Sequence, residues 1–126
     1  MTEQDFLIAV DAVVARWRHD RTGEPLTCLA FKEALPSQCH ANAAAYVAQH
    51  GGEVVRGFLV QHPPGWTMVW VMPHSVVRTD LGFLDVTVKP MDLVGLAFFP
   101  IEGDPIEFTE WAKKFPQESR SIASTL

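Results

Sequence analysis

Apolar residues recur at helical spacing near the start of the chain. These positions are three or four residues apart, and they comprise Phe6, Leu7, Val10, Val13, Val14 and Trp17. Thr2 followed by Asp5 resembles a capping box, in which two side chains satisfy the first N–H groups of a helix. The pattern predicts an amphipathic helix over residues 3–18, with its apolar face in the core.

A second helix is predicted over residues 37–50. Pro36 keeps the residue before it out of the helix, Ser37 is a residue type that caps helices, and two glycines after His50 supply a stop. One face of this helix carries Cys39, Ala43, Tyr46, Val47 and His50. Its many alanines allow close approach to a sheet, so we expect this helix to be central to the fold.

The second half of the chain is typical of β-structure. Its apolar runs predict strands over residues 54–60, 66–71, 74–78, 83–88 and 96–100, with turns at 62–65, 79–82 and 102–105. Residues 26–31 fit either an extended segment or a short helical turn. Residues 109–115 favour a short closing helix, and 119–126 a polar tail. This order predicts an α+β fold, with N-terminal helices packed on an antiparallel sheet.

Composition narrows the class of protein. The chain has 126 residues, of which 48% are hydrophobic and 20% charged, which fits a single domain over residues 1–126. Ten basic and fifteen acidic residues give a net charge of −5, and no basic cluster is present, which argues against nucleic acid and anionic membranes. The uncharged stretch 57–77 is cut by prolines and is not a membrane helix, and no signal peptide is recognisable. We therefore expect a cytoplasmic protein, of an oligomeric state that the sequence leaves open.

Ten residues separate the two cysteines, Cys28 and Cys39, and no C-x-x-C motif occurs. Neither a zinc ribbon nor a disulfide framework is indicated, although the number of cysteines alone permits a Cys28–Cys39 bridge. A zinc site can be drawn from Cys39, His62 and His74, but their spacing gives it no support. We expect no metal and no cofactor.

Cys39 lies in the first turn of the second predicted helix. A free cysteine has a pKa of about 8.5, which the partial positive charge of a helix N-terminus lowers. The unpaired N–H groups there can also stabilise an oxyanion on a substrate carbonyl. A lone cysteine is more often a buried packing residue, so a catalytic role requires a histidine from elsewhere in the fold.

His74 is the best candidate because of its relation to Asp85. If the hairpin turns at residues 79–80, His74 lies opposite Asp85, since paired residue numbers then sum to 159. Opposite residues of an antiparallel pair share a face, about 5 Å apart at Cβ. Asp85 would hold one ring nitrogen of His74 and leave the other for the thiol. A bulge at Gly82 would shift this register by one or two residues.

In this arrangement the chain resembles the papain-like thiol superfamily, most closely its transglutaminase-like branch. That branch carries a cysteine at a helix N-terminus, a histidine on one strand and an aspartate on the next. The resemblance covers about residues 36–100 and is carried by Gln38-Cys39-His40-Ala41-Asn42-Ala43, Gly51-Gly52-Glu53-Val54-Val55-Arg56-Gly57-Phe58, His74-Ser75-Val76-Val77 and Leu84-Asp85-Val86-Thr87.

The resemblance implies that Cys39 is a nucleophile, His74 a general base and acid, and Asp85 its orienting group. It implies a hydrolase or acyltransferase acting on an amide or ester carbonyl of a peptide or protein substrate. Gln38 and Trp70 are the candidate substrate-binding residues, although Trp70 also fits a core position.

The chain departs from the family pattern at two positions. Glu33 stands where papain-type enzymes carry a glutamine that assists the oxyanion, and Val76 stands where an aromatic often follows the histidine. His40 follows Cys39 and on a helix points about 100° away from it, so we expect His40 at the cleft rim or in solvent.

Two other functions stay open on the sequence. The first is a non-catalytic module that binds a peptide or a partner and retains Cys39 as a core residue or relic. The second, a redox or metal protein, rests only on the two cysteines and five histidines. A Cys39 sulfur far from His74, or sealed from solvent, would favour the binding module.

Overall fold

The computed structural model describes residues 1–103 and 107–122, which form three α-helices and six strands. The helices are α1 (Glu3–His19), α2 (Cys39–His50) and α3 (Phe108–Lys114), and a 3-10 helix spans Pro90–Leu93. The strands are β1 (Leu26–Cys28), β2 (Glu53–Gln61), β3 (Met68–Thr79), β4 (Gly82–Asp85), β5 (Leu96–Pro100) and β6 (Glu118–Ser121). The predicted α+β class is confirmed. Within the described ranges, no helix has the length and apolarity needed to cross a membrane.

The first helix forms as the sequence predicts. Thr2 Oγ1 accepts a hydrogen bond from the Asp5 N–H at 3.1 Å, and the Asp5 carboxylate accepts one from the Thr2 N–H at 2.9 Å. These two bonds complete the capping box and fix the start of α1. Its apolar stripe is buried through Phe6, Val10, Val13, Val14 and Trp17.

The six strands form one open, mixed sheet. The strand order is β1-β4-β3-β2-β5, and β6 pairs with one end of β3. All neighbours are antiparallel except β1, which runs parallel to β4 through the pairs from Leu26–Phe83 to Cys28–Asp85. The prediction of a purely antiparallel sheet is therefore wrong. The three residues of β1 are too few for an apolar pattern that would indicate how the strand pairs with its neighbour.

The helices α1 and α2 cover the same face of the sheet. Alternate residues of β2 point to this face. Val54 packs against the hydrophobic cluster around α2, called the α2 cluster, and Phe58 and Val60 pack with the buried residues of α1. The α2 cluster is built on Ala43, Val77, Leu84 and Val86. The opposite face holds a smaller cluster of Val55, Leu59, Val76 and Phe98. His74 shares the parity of Val76, and Ser75 that of Val77, so the two neighbours point to opposite faces.

The strand β3 is continuous through Pro73, although the sequence predicts a break there. β6 pairs only with Met68–Val71 of β3, and β4 only with Val77–Thr79. Within the part of the chain that the structure describes, residues 72–76 thus have a strand partner only in β2. Proline is tolerated because a residue without an N–H costs little at such an unpaired edge.

Two predicted segments change character in the C-terminal half. The strand predicted over 83–88 ends at Asp85, because the Asp85 carboxylate accepts the backbone N–H groups of Thr87 and Val88 and turns the chain. Residues 118–121, predicted in part as a polar tail, form β6. Their sequence, Glu-Ser-Arg-Ser, lacks the apolar alternation of a strand. The end of that tail and half of the predicted 102–105 turn lie outside the described residues.

The helix α2 begins two residues later than predicted. Ser37 adopts a positive φ of 60° and makes no cap, and Gln38 takes the N-cap position without a side-chain bond. The cap predicted at Ser37 is therefore wrong. The turn formed by Leu35 to Gln38 directs the chain into the helix, so that Cys39 becomes its first residue.

Gly57 lies next to His74 in the sheet. It is buried on β2, and its Cα pairs with that of His74 on one side and of Pro100 on the other. A Cβ at this position would lie 2.5 Å from the Phe99 carbonyl oxygen and 2.9 Å from the Phe98 ring. The Phe98 ring in turn contacts the His74 ring edge-on, with centroids 6.1 Å apart. Because glycine has no side chain, the Phe98 ring can lie close to Gly57 and pack against the His74 ring.

Gly57→Ala is expected to lower the free energy of unfolding by about 1–3 kcal/mol, because the added methyl group forces the backbone of β5 or the Phe98 ring to move. Denaturant unfolding measures this loss. Gln61→Ala, at the exposed end of the same strand, is the matched control and should change stability by less than about 0.5 kcal/mol. Equal stability of Gly57→Ala and wild type would contradict the proposed packing.

Candidate active site

A cavity of about 1100 Å³ brings Cys39 and His74 together. Its walls come from the loop before α2, from the middle of β3, from the residues after β4, and from the end of α3. The lining is mostly apolar and includes Phe31, Leu35, Pro36, Met72, Pro73, Val86, Val88 and Pro90. Lys89, Lys113 and Asp92 supply formal charges at its surface. Cys39 is half-buried and lines this space, so its sulfur is not sealed in the core.

Asp85 and His74 form a buried hydrogen-bonded pair. The distance from His74 Nε2 to Asp85 Oδ2 is 2.7 Å, and the two residues are 3% and 0% exposed. The register differs from the predicted one, because Thr79 pairs with Gly82 and paired numbers sum to 161. This shift of two residues leaves His74 diagonal to Asp85 and on the same face. The predicted contact therefore forms despite the wrong register.

Three interactions stabilise the negative charge of Asp85. Burial alone would raise the pKa of this carboxyl, but the hydrogen bond and positive charge of His74 lower it. The N–H groups of Val88 and Thr87, at 2.9 and 3.0 Å from Asp85 Oδ1, lower that pKa further. The net effect is a pKa below the usual range, so Asp85 is a carboxylate that accepts the N–H of His74.

The Cys39 thiol is strongly acidified. Burial opposes its ionisation, but hydrogen bonds with His40 and His74, followed by the charges of these rings, outweigh burial and lower the pKa of Cys39 to about 5. Burial likewise opposes the His74 cation, whereas the hydrogen bonds with Asp85 and Cys39 raise the pKa of His74 to about 9. Because Nε2 is held by Asp85, Nδ1 is the nitrogen left for the sulfur. Between these pH values the site is a thiolate–imidazolium pair.

Asn42 fastens the start of α2 to the turn after β4. It is 3% exposed, and its side chain accepts the Leu35 N–H at 3.0 Å and donates to the Leu35 carbonyl at 2.9 Å. It also donates to Thr87 Oγ1 at 3.0 Å. The same side chain thus holds the loop before Cys39 and the turn that Asp85 starts. A polar residue among alanines was the sequence signal for this role, and it was missed.

His40 lies in the site and not in solvent. Its Nδ1 is hydrogen-bonded to Ser75 Oγ, its ring contacts Phe108 edge-on, and it lines the cavity beside Cys39. Of the two places expected for His40, the rim of the cleft and the solvent, the structure shows the first. The helical angle of 100° between successive residues predicts where the His40 side chain points. It does not predict which residue of another element lies there, and in this fold that residue is Ser75.

The two predicted substrate-binding residues are not part of the cavity wall. Gln38 is exposed, and its carbonyl accepts the Asn42 N–H, while Trp70 is half-buried on β3 opposite Gln61 and Ser119. Neither residue lines the cavity. Glu33 is also exposed and outside the lining.

Cys28 and the remaining histidines are not equivalent to the site residues. Cys28 is a free thiol in the cavity wall, and burial together with the Asp85 charge raises its pKa, in contrast to Cys39. His62 is hydrogen-bonded to the Trp66 carbonyl and packs on Trp17, and it does not line the cavity that holds Cys39 and His74. In residues 1–103 and 107–122, no group of three or more metal-ligating side chains is positioned to hold an ion.

The pH dependence of Cys39 alkylation should reveal the acidified thiol. In a Cys28→Ser background at pH 6, iodoacetamide should modify Cys39 roughly tenfold faster than an ordinary thiol. The thiolate fraction is about 300-fold higher, and the lower intrinsic nucleophilicity of an acidic thiolate cancels most of this gain. The rate should fall as pH drops through about 5, where the thiolate takes up its proton.

His74→Ala removes one donor and one positive charge, so the Cys39 pKa should rise and the rate at pH 6 should fall several-fold. His19→Ala, at the exposed end of α1, is the control and should behave as wild type. A wild-type Cys39 that titrates like a free thiol would contradict the ion pair.

Asn42→Ala should lower the free energy of unfolding by about 1–3 kcal/mol, because the backbone groups of Leu35 lose their partners. Thermal or denaturant unfolding measures the loss. Gln49→Ala, exposed in the same helix, should stay within about 0.5 kcal/mol of wild type. If both alanine variants unfold at the same denaturant concentration, Asn42 does not fasten the loop.

Comparison with known proteins leaves the site to be interpreted from its own geometry. No family model matches the chain, and searches of curated proteins and of solved structures return no significant match. The arrangement of Cys39, His74 and Asp85 described above is therefore the basis for assigning a function.

Proposed function

We propose that the protein is a thiol-dependent hydrolase or acyltransferase that acts on an amide or ester carbonyl. Cys39 is the nucleophile, His74 the general base and acid, and Asp85 the group that orients His74. The observation that carries the proposal is the buried hydrogen bond between Asp85 and His74, whose ring lines the same cavity as the half-buried Cys39 thiol.

In the first half-reaction the Cys39 thiolate attacks the substrate carbonyl carbon, and the carbonyl electrons move onto oxygen. When the tetrahedral intermediate collapses, His74 Nδ1–H gives its proton to the departing amine or alcohol, and a thioester remains on Cys39. Asp85 keeps its charge throughout and holds the tautomer of His74. In the second half-reaction water or an amine attacks the thioester, its proton passes to His74, and the thiolate leaves.

The start of α2 can support the oxyanion. Cys39 and His40 are the first two helical residues, and the Asn42 N–H is the first to bond back within this turn, to the Gln38 carbonyl. The earlier N–H groups of a helix have no intrahelical acceptor and point outward with partial positive charge. These N–H groups belong to Cys39, His40 and Ala41, so they lie beside the nucleophile, where an oxyanion would form.

The cavity supports a peptide or protein substrate. Its volume of about 1100 Å³ exceeds what a single small acyl group needs, and apolar walls on both sides of Cys39 can accept side chains of a polypeptide. Lys89 and Lys113 in the wall suit a substrate with acidic groups near the scissile bond.

The order of parts supports a papain-like core of the transglutaminase-like kind. A cysteine opens α2, a histidine lies on β3, and an aspartate ends β4, which follows β3 through a tight turn. The parallel strand β1 beside β4 is an addition to the expected antiparallel sheet.

The alternative is a non-catalytic module that binds a peptide in the same cavity, and the large apolar wall favours it. Against it stands the position of Cys39, which lines the same cavity as His74 and whose pKa that ring helps to lower. A module that only binds has no need to keep a thiolate beside a buried imidazolium, because burial of charged groups costs stability.

Turnover of p-nitrophenyl esters and peptide p-nitroanilides tests the proposal. Cys39→Ala should abolish turnover, and His74→Ala should lower kcat/KM by about 10²- to 10⁴-fold through loss of general acid and base. Asp85→Asn should lie between wild type and His74→Ala. Because Asp85 is fully buried, circular dichroism must first show that each variant is folded.

His50→Ala, at the far end of α2, is the matched histidine control and should retain turnover. Peptide binding by wild type and by Cys39→Ala with equal affinity, in the absence of turnover of any substrate, would favour the binding module.

A further inference from the structure

His40 is the end of a hydrogen-bonded chain that the proposed triad does not use. Arg56 Nη1 donates to Ser75 Oγ at 3.1 Å, and Ser75 Oγ is hydrogen-bonded to His40 Nδ1. Ser75 is fully buried, and the edge of the His40 ring packs on Phe108 with centroids 5.8 Å apart. These contacts fix the orientation of the ring from two sides.

Ser75 Oγ joins Arg56 to His40. A guanidinium only donates, so Ser75 Oγ accepts the Arg56 bond, and the same hydroxyl is hydrogen-bonded to His40 Nδ1. Because Ser75 engages Nδ1, Nε2 is the other nitrogen of the His40 ring.

Nε2 of His40 is then the nitrogen that remains for Cys39. The two residues are adjacent at the start of α2, both line the cavity, and the His40 ring helps to lower the pKa of Cys39. Cys39 thus has an imidazole on each side. His74 is held by a carboxylate and is suited to carry a proton, whereas His40 is held by a hydroxyl that an arginine polarises.

We propose that His40 is a second catalytic residue, whose Nε2–H donates to the Cys39 thiolate at rest and to the substrate oxyanion during acyl transfer. This inference rests on the proposed function of Cys39 as an acyl-accepting nucleophile. Ser75 is the positioning residue that holds Nδ1 of His40.

The chemistry requires no proton transfer by His40. As the sulfur–carbon bond forms, negative charge leaves the sulfur and appears on the carbonyl oxygen, which is bonded to the same carbon. A donor already placed at the sulfur needs only a small shift to follow that charge. When the intermediate collapses, the charge and the hydrogen bond return, while the leaving group takes its proton from His74.

Two reactions of the same thiolate test this role, both in a Cys28→Ser background. Acylation by p-nitrophenyl acetate passes through an oxyanion, whereas alkylation by iodoacetamide does not. His40→Ala should lower the acylation rate constant about 10²- to 10³-fold when both variants are compared at a pH where Cys39 is fully ionised. Its alkylation rate constant under the same conditions should be unchanged or higher, because the thiolate has lost a donor.

His40→Gln, which keeps a side-chain N–H, should recover part of the acylation rate. Ser75→Ala should lower acylation less than His40→Ala and leave alkylation intact. His19→Ala is the matched control. Equal losses in both reactions would assign His40 a structural role only and overturn the inference, as would full acylation activity of His40→Ala.

The outcomes also separate this inference from the proposed function. Stoichiometric acylation that depends on His40, without turnover of any substrate, would uphold the role of His40 and reject the enzyme. Turnover that survives His40→Ala would uphold the enzyme and reject the role of His40. A wild-type Cys39 that p-nitrophenyl acetate does not acylate would overturn both.

Discussion

The buried carboxylate of Asp85 is the constraint on which the rest of the site depends. A charge without solvent is tolerated only when hydrogen bonds and an opposite charge compensate it, and here one imidazole and two backbone N–H groups do so. Those N–H groups end β4 and turn the chain, and the imidazole is thereby fixed against Phe98. The same pairing raises the basicity of His74, so the geometry and the charge of the site have one origin.

The remaining side chains of the site come from a different part of the chain. The N-terminus of α2 carries Cys39 and His40, and Asn42 links the preceding loop to Thr87, two residues beyond Asp85. Two adjacent residues of β3 meet these side chains, since His74 lines the same cavity as Cys39 and Ser75 is hydrogen-bonded to His40. Alternation along one strand supplies both contacts, one from each side of the backbone.

The sequence allowed the first helix, the helix of Cys39, most strands and the contact between His74 and Asp85 to be predicted. The contact survived an error of two residues in register because side-chain direction repeats every two residues in a strand. The direction of β1 and the existence of β6 were not predictable, since three residues and a polar tetrapeptide carry no apolar alternation. His40 and Asn42 were missed because their partners, Ser75 and Leu35, are set by tertiary packing and not by local pattern.

Pro73 has a consequence beyond its position in β3. Between the ends of β4 and β6 the middle of β3 has an open edge, and open edges recruit other strands, from the same chain or from another molecule. A proline there withholds one donor that an incoming strand would require. An incoming strand would have to pair along the stretch that carries His74, so Pro73 disfavours a competing β-ladder there.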